Sequence, residues 1–315
     1  MGAEGPQEVW EGVRDRSVLV LGATGGVGSA ISRRLLAEGA NVIAQGRDLA
    51  RLARLQAFGA STFQGDLRMV RPRTDLLRVS SDVVAVISFL PPLRDVITGA
   101  CDVMRDLPGT CRVHLSSSEV YARRKDQFDL TEREVRPDGL RPSPFRSAER
   151  ALETATQGCV TLLRPGRLIG TGVTSSALVR WARDAPLPLV LEGAVESSVL
   201  RVEDLGDAII QLIRAPGVGR AHGTFNIAGP RPTGVRDIAE TLCDGSGVRL
   251  RWRRAGRTSL RAGVEVRNII RALPGVSGQS EEIGLLLGWS LTLDSAALLR
   301  ETGWAPGVIP RRRGT

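Results

Sequence analysis

Between residues 17 and 38 the chain reads SVLVLGATGGVGSAISRRLLAE. An apolar stretch of strand length runs into three glycines spaced three apart, and these open a helix with one apolar face. Each glycine answers a separate steric demand. Gly22 permits the tight turn out of the strand, Gly25 lets backbone approach a pyrophosphate closely, and Gly28 lets the helix pack against the strand. The helix N-terminus adds unbonded N–H groups and a partial positive charge, both suited to phosphate. The segment therefore predicts a dinucleotide site built from Gly22, Thr24, Gly25, Gly26, Val27 and Gly28. It also constrains the fold, because this strand-turn-helix unit belongs to parallel sheets.

The rest of the chain keeps the same rhythm through its first two-thirds. Strand patterns fall near Ser17 to Leu21, Asn41 to Gln45, Ser61 to Phe63, Val83 to Ser88, Cys111 to Leu115 and Val160 to Arg164. Helical patterns separate them, near Gly26 to Glu38, Leu49 to Phe58, Leu93 to Leu107 and Phe145 to Gln157. Such alternation predicts an α/β protein, a Rossmann-type doubly wound parallel sheet. After Pro165 the elements shorten, with a helix near Ser175 to Asp184 and a proline-rich stretch at Pro186 to Pro188. The expected organisation is an N-terminal tail over 1–16, an NADP-binding Rossmann domain over 17–172, and a smaller C-terminal substrate-binding region over 173–315. Segments near 197–230 of that region are expected to return to the first domain. No repeat of fixed period is present.

Composition removes several function classes. The 315 residues are 42% apolar, enough for a substantial core. The longest apolar runs, near Val83 to Leu90 and Ile283 to Leu287, fall far short of the ~18 residues a membrane span requires. Glu4, Glu8 and Glu11 among Gly and Pro give the N-terminus neither the basic start nor the apolar stretch of a secretory signal, so a cytoplasmic protein is expected. Cys101, Cys111, Cys159 and Cys243 lack paired spacing, and only His114 and His222 are histidines, so neither a metal site nor a disulfide framework is expected. The net charge of +9 comes almost wholly from dispersed arginine, with Lys125 the single lysine. No basic helix interleaved with aromatics accompanies it, and nucleic acid is not an expected partner. The closing Arg311, Arg312 and Arg313 read as a solvated tail, and the assembly as a monomer or homodimer.

The end of the second strand indicates which dinucleotide. An NAD-selective site places an acid there for the ribose hydroxyls, whereas this chain has Gln45, Gly46 and Arg47. A guanidinium pairs bidentately with a 2′-phosphate, so NADP(H) is favoured, with room for NADH. Arg51 is a further candidate contact. After the third strand, Gly65, Asp66 and Leu67 offer a turn in which Asp66 caps the adenine.

Six motifs now stand together: GATGGVG at Gly22 to Gly28, HLSSSEVY at His114 to Tyr121, LLRPGRLIGTG at Leu162 to Gly172, RVEDLGDAI at Arg201 to Ile209, GTFNIAGP at Gly223 to Pro230, and LLRETGWAP at Leu298 to Pro306. The pattern resembles the NAD-dependent epimerase/dehydratase family, the extended short-chain dehydrogenases/reductases. The resemblance implies that Ser88, Leu115, Ser116, Pro165, Gly166 and Arg167 border the cofactor. It implies that Ser117 polarises the substrate carbonyl, with Ser88 near it. It also implies a catalytic Tyr and Lys at the start of the next long helix, and there the sequence departs from the family. That helix begins Pro144, Phe145, Arg146, Ser147, Ala148, Glu149, which puts Phe145 at the tyrosine position and Glu149 at the lysine position. Tyr121 and Lys125 happen to share the Tyr-x-x-x-Lys spacing. Tyr121, however, aligns with the tyrosine that directly follows the fifth strand, and the loop after it lacks a helical apolar period.

Loss of that pair limits the chemistry. General acid–base catalysis contributes ~10²- to 10⁴-fold, or ~3–5.5 kcal/mol of barrier. A quinone-like ketone fits the gap, since its carbonyl is electrophilic and a neighbouring phenol can donate a proton internally. The expectation is an NADPH-dependent ketoreductase acting on an aromatic polyketide in antibiotic biosynthesis, with Phe89, Leu90, Glu119 and Phe145 against the substrate. Tailoring reductases of polyketide pathways that have lost Tyr and Lys are similar in this respect. Two alternatives stand beside it. Glu119 resembles the acid of nucleotide-sugar dehydratases, which place an Asp where Ser118 stands. A redox sensor that holds NADP without turnover is the other.

Overall fold

The computed structural model describes residues 13–121, 125–135, 143–170, 189–190, 196–214, 222–234, 237–238, 252–253 and 289–307. The apolar stretch at residues 17–21 forms β1 (Ser17–Leu21), and the glycine turn opens α1 (Gly26–Ala37). There follow β2 (Asn41–Gly46), α2 (Leu49–Ala57), β3 (Ser61–Gln64), α3 (Val70–Val79), β4 (Ala85–Ser88), α4 (Arg94–Asp106) and β5 (Cys111–Leu115). A 3-10 turn (Ser118–Val120) leads to β6 (Gln127–Leu130), α5 (Pro144–Ala155), β7 (Thr161–Pro165) and β8 (Arg167–Ile169). Beyond these lie β9 (Leu189–Val190), β10 (Glu196–Ser197), β11 (Val199–Arg201), α6 (Val202–Arg214), β12 (Gly223–Ile227), β13 (Thr233–Gly234), β14 (Trp252–Arg253), β15 (Leu291–Leu293) and α7 (Ala296–Thr302).

Seven parallel strands form the central sheet in the order β12-β7-β5-β4-β1-β2-β3. Strand order reverses at β1, which has β2 on one side and β4 on the other. Crossover connections leave a crevice there, at the carboxyl ends of the strands, and the glycine turn sits in it. Central strands buried on both faces need apolar residues at every position, and β1 supplies Val18, Leu19, Val20 and Leu21, all fully buried. One face packs against α1, α2 and α6 through Ile31, Leu35, Leu52, Leu205 and Ile209. The other packs against α3, α4 and α5 through Leu76, Ile97, Met104 and Leu152. Each such side chain contributes roughly 1.5–3 kcal/mol of burial.

The expected strands and helices of the sheet are present, but α3 was not anticipated. Its sequence, VRPRTDLLRV, has charge on most turns and a proline, and only Leu76 is buried. Pro72 is tolerated because the first helical turn has no N–H acceptor to lose. The sheet unit also starts before Ser17: Val13 is fully buried, and Asp15 donates its N–H to the Gly39 carbonyl at 2.8 Å. A second sheet, in the order β13-β10-β15-β6, draws β6 from inside the span assigned above to the Rossmann domain. In the opposite sense, α6 packs on α1 and β12 joins the central sheet. The helix expected near Ser175 to Asp184 and the stretch at Pro186 to Pro188 lie outside the described residues.

Close packing fixes α4 on the crevice. A Cβ built on Gly99 would stand 2.3 Å from the Leu67 carbonyl oxygen, so the helix can approach the β3-α3 turn only without a side chain there. Gly99→Ala is expected to destabilise the protein by about 1–3 kcal/mol through this overlap, despite alanine's better helix propensity. Urea denaturation checks it, and an unchanged or raised midpoint would contradict the packing argument.

Candidate functional site

The glycine turn is built as its sequence requires. Gly22 has φ +75°, and a Cβ on Gly28 would lie 2.4 Å from the Gly22 carbonyl oxygen. Gly25 caps α1 without a side-chain acceptor, so the first N–H groups of the helix face the crevice with no side chain to satisfy them. Phosphate oxygens fit that donor set. Gln45 is a part of the turn that motif reading overlooked. Its Oε1 accepts the Gly22 N–H at 3.1 Å and its Nε2 donates to the Gly65 carbonyl at 2.7 Å. A polar residue alternating out of an apolar strand was the signal for it. Gly46 leaves room for Thr24, whose Cγ2 would lie 2.4 Å from a Cβ placed there.

Three arginines gather beside this turn. Arg51 donates to the Thr24 carbonyl at 3.0 Å and pairs with Asp48 at 3.3 Å. Asp66 receives Arg68 at 2.5 Å and has Arg47 at 3.9 Å. The Arg68 hydrogen bond holds the Asp66 carboxyl down at about 2. Asp66 therefore stays ionised and tethers two guanidinium groups at the edge of β2 and β3. Leu67 is buried beneath it. Leu90 and Phe89, expected against the substrate, lie beside the glycine turn: Leu90 Cδ2 and the Phe89 backbone would each lie 3.3 Å from a Cβ on Gly22.

Side chains alternate along a strand, so residues two apart on β5 and β7 share one face. On the α5 face of the sheet this alternation produces a buried polar strip. His114 and Ser88 are register partners, and His114 Nδ1 lies 3.1 Å from Ser88 Oγ. Ser88 Oγ also receives the Leu90 N–H at 3.5 Å. Burial pushes His114 down to about 4, so the imidazole is neutral at ordinary pH. Two residues on, Ser116 Oγ donates to Glu149 Oε1 at 2.7 Å. Arg164 donates to the same carboxylate twice, from Nε at 2.8 Å and from Nη2 at 2.7 Å. Its Nη1 donates to the Tyr121 hydroxyl at 2.8 Å and to the Glu132 carbonyl at 2.9 Å. Tyr121 in turn donates to Asn226 Oδ1 at 2.7 Å, and Asn226 Nδ2 donates to the Leu130 carbonyl at 2.7 Å.

Glu149 and Arg164 are 0% and 1% exposed. Burial acts to raise the Glu149 carboxyl, and the bonds from Arg164, Ser116 and Arg146 outweigh it, leaving the group below its ordinary range. Removing one partner of such a pair costs roughly 3–5 kcal/mol because the other charge is stranded. The strip was only partly legible. Arg164 in an otherwise apolar strand demands a buried acid, but nothing in sequence says that the acid is Glu149.

Other expected site residues take different settings. Ser117 is half-buried, and its Oγ accepts the Glu119 N–H at 3.1 Å. Glu119 is exposed on the 3-10 turn. Phe145 packs against the buried cluster formed by Val120, Tyr121, Leu130, Ala228 and Leu293. Leu115 packs on the α1 face at the end of β5. Pro165 and Gly166 are buried, and a Cβ on Gly166 would meet the Ser198 carbonyl oxygen at 2.6 Å, while the Arg167 N–H donates to that carbonyl at 2.8 Å. Tyr121 ends the 3-10 turn and Lys125 precedes β6, so no helix carries both. Burial drives the Tyr121 hydroxyl up to about 12. Among the described residues no cluster of three His, Cys, Asp or Glu side chains could hold a metal ion, and no helix is long and apolar enough to cross a membrane.

A family model described as NAD(P)H-binding matches residues 22–216, from the glycine turn to just beyond α6. The chain belongs to this NAD(P)H-binding family. It binds a nicotinamide dinucleotide, and the turn at Gly22 to Gly28 fits its phosphates. No curated protein sequence matches the chain. Solved structures do. The UDP-glucose-4-epimerase of Stenotrophomonas maltophila, solved with bound NAD and formylated UDP-arabinopyranose, is 18% identical with a TM-score of 0.66, covering 93% of this chain and 94% of that one. A nucleoside-diphosphate-sugar epimerase of Pseudomonas aeruginosa is 15% identical with a TM-score of 0.66, covering 93% of each chain. The Bordetella bronchiseptica enzyme WbmG, in complex with NAD, is 13% identical with a TM-score of 0.65, covering 94% of this chain and 90% of that one. At these identities the likeness is one of fold.

The neutral, buried His114 gives stability a defined pH dependence. Its folded value of about 4 lies below the unfolded 6.5. There is no cost above pH 6.5, a growing cost as pH falls below it, and no further change below about 4. Wild-type stability should fall by up to about 3 kcal/mol more than that of His114→Gln over this window. Paired urea titrations at several pH values measure the difference, and parallel curves would exclude a buried neutral imidazole.

Proposed function

We propose that the chain is an NADPH-dependent ketoreductase that works without a Tyr/Lys relay. The observation carrying this reading is the N-terminal half of α5. Phe145 there has no proton to give, and the Glu149 carboxylate is consumed by Arg164, Ser116 and Arg146. Neither can act as an acid toward a substrate near neutral pH. When bound, the dinucleotide supplies a hydride to a carbonyl carbon. Ser117 Oγ accepts the Glu119 N–H, which leaves its own proton to donate to the carbonyl oxygen. Phe145 offers an apolar surface to a flat ring. The proton that completes reduction comes from the substrate itself, from a phenol beside the ketone.

Substrates of this kind are aromatic polyketides, hydroxyquinones of the angucyclinone sort. The sequence resembles in this respect the ketoreductase of simocyclinone biosynthesis. Preference for NADPH over NADH is supported by Arg47 and Arg68 on Asp66 and by Arg51 beside Thr24. A second reading, nucleotide-sugar epimerisation or dehydration, is favoured by two of the structural neighbours, a UDP-glucose-4-epimerase and a nucleoside-diphosphate-sugar epimerase, and it meets the obstacle that Glu119 has Ser118 rather than an acid before it. Holding the dinucleotide without turnover is a third.

One assay separates them. Absorbance of the reduced cofactor is followed with hydroxyquinones and, separately, with a nucleotide sugar. Net oxidation with the polycyclic ketone alone is the expected result. Loss of water from the sugar, or inversion at a sugar carbon, with no net change in cofactor would establish the second reading, and tight binding with neither the third. In addition, Arg47→Asp should weaken NADPH by about tenfold or more, as loss of a charge-assisted hydrogen bond of ~1.5–3 kcal/mol implies. NADH should change little. Fluorescence titration checks this, and equal loss for both cofactors would remove Arg47 as the phosphate reader.

A further inference from the structure

The carboxylate at Glu149 has more positive charge around it than it needs. Arg164 alone balances it, and every nitrogen of that guanidinium is engaged within the buried strip. Arg146, one turn earlier on α5, adds a second guanidinium: its Nη1 donates to Glu149 Oε2 at 3.0 Å, and its side chain is 25% exposed. Among the described residues Arg146 has no other ion-pair or hydrogen-bond partner. Counted by themselves, Arg146, Glu149 and Arg164 carry a net charge of +1, and Arg146 is the member that reaches solvent.

Position gives that charge a use. Arg146 adjoins Phe145 in sequence and is joined through Glu149 to Ser116, at the carboxyl end of β5. This is the sheet edge that holds Ser117 and the glycine turn. A half-buried guanidinium acts through an effective dielectric well below that of water, so an anion within reach is stabilised more than at an open surface. Arginine also retains its charge at all working pH values. We infer that Arg146 is the anion-holding residue of the substrate pocket and that the substrate carries an acidic hydroxyl next to its reducible carbonyl. This rests on the reductase reading above and deepens it.

The proton balance is closed. As hydride reaches the carbonyl carbon, the C=O π pair moves to oxygen, which takes the proton of the neighbouring phenol and becomes the alcohol. A phenolate remains beside Arg146, and a proton from water restores the phenol. Arg146 donates and accepts no proton, so its role is to hold the negative charge while it exists. The other charged groups on elements packed against this turn are Glu119 on the 3-10 turn and, on α4, Arg94, Asp95, Asp102, Arg105 and Asp106. Asp102 is held by Arg73 and Arg105, and Asp106 by Arg105. Glu132 lies beyond Arg164, where its carboxylate accepts the Asn226 N–H at 2.9 Å.

The test reads ionisation of a bound ligand rather than turnover. Wild type, Arg146→Met and Arg146→Lys are saturated with NADP+ and loaded with 2,3-dimethyljuglone, a hydroxynaphthoquinone whose ring methyls block thiol addition. The visible band of the bound ligand is then titrated with pH, and thermal melts establish that each variant is folded. The bound phenol should ionise about one pH unit lower in wild type than in Arg146→Met, a tenfold change in its acidity, and Arg146→Lys should recover part of the shift. The O-methyl ether should bind wild type and Arg146→Met equally. An identical phenol pKa in wild type and Arg146→Met, with hydroxyquinones still oxidising NADPH in wild type, overturns this inference alone. Failure of wild type to bind the naphthoquinone overturns both this inference and the reductase reading.

Discussion

A carboxylate removed from water survives only where donors replace its hydration, and the arrangement around Glu149 follows from that requirement. Two arginines and a serine surround it. Satisfying the carboxylate fixes Arg164, Arg164 orients Tyr121, and Tyr121 reaches Asn226 and, through it, the carbonyl of Leu130. Four elements of the central layer and the start of the smaller sheet are thus held by one charge. The strip lies directly under the carboxyl edge of β5 and β7, so whatever binds at that edge rests on a floor that cannot shift without stranding an ion.

The same requirement ties the residue at position 149 to the rest of the strip. A lysine at position 149 would place an ammonium against Arg164, two like charges in a space closed to water. Placing an acid at residue 145 is therefore not a matter of replacing Phe145 and Glu149 alone, because Arg164, Tyr121 and Asn226 are bonded in a chain that begins at the Glu149 carboxylate. Tyr121 illustrates the coupling. Its hydroxyl is committed on both sides, and burial holds its proton firmly.

Much of the fold could be read from the chain because local rules and the global fold agree there. The glycine turn, the uniformly apolar β1 and the alternation of strand and helix all point to the same sheet. Where the sequence was silent, the reason was physical. Helix α3 buries one leucine and shows no clear apolar face, and β6 pairs with β15 across more than 160 residues, a contact that no local pattern encodes. The site divides in the same way. Backbone-built features such as Gly22 and Gly28 were visible as residue types. The buried strip depends on partners distant in sequence, and Phe89 and Leu90 gained their place beside the turn only from strand register.

Gln45 bears on how the specificity of such a protein can change. Its side chain receives a proton bond from one loop and gives one to another, so it acts as a two-ended clip between the first and third strand ends. Only an amide does both at that length. A glutamate substituted at this strand end would keep the first contact and set an oxygen against the Gly65 carbonyl, loosening the two loops that the amide joins. An acid brought in at this position to read ribose hydroxyls would thus have to break the clip between the loops before it could serve.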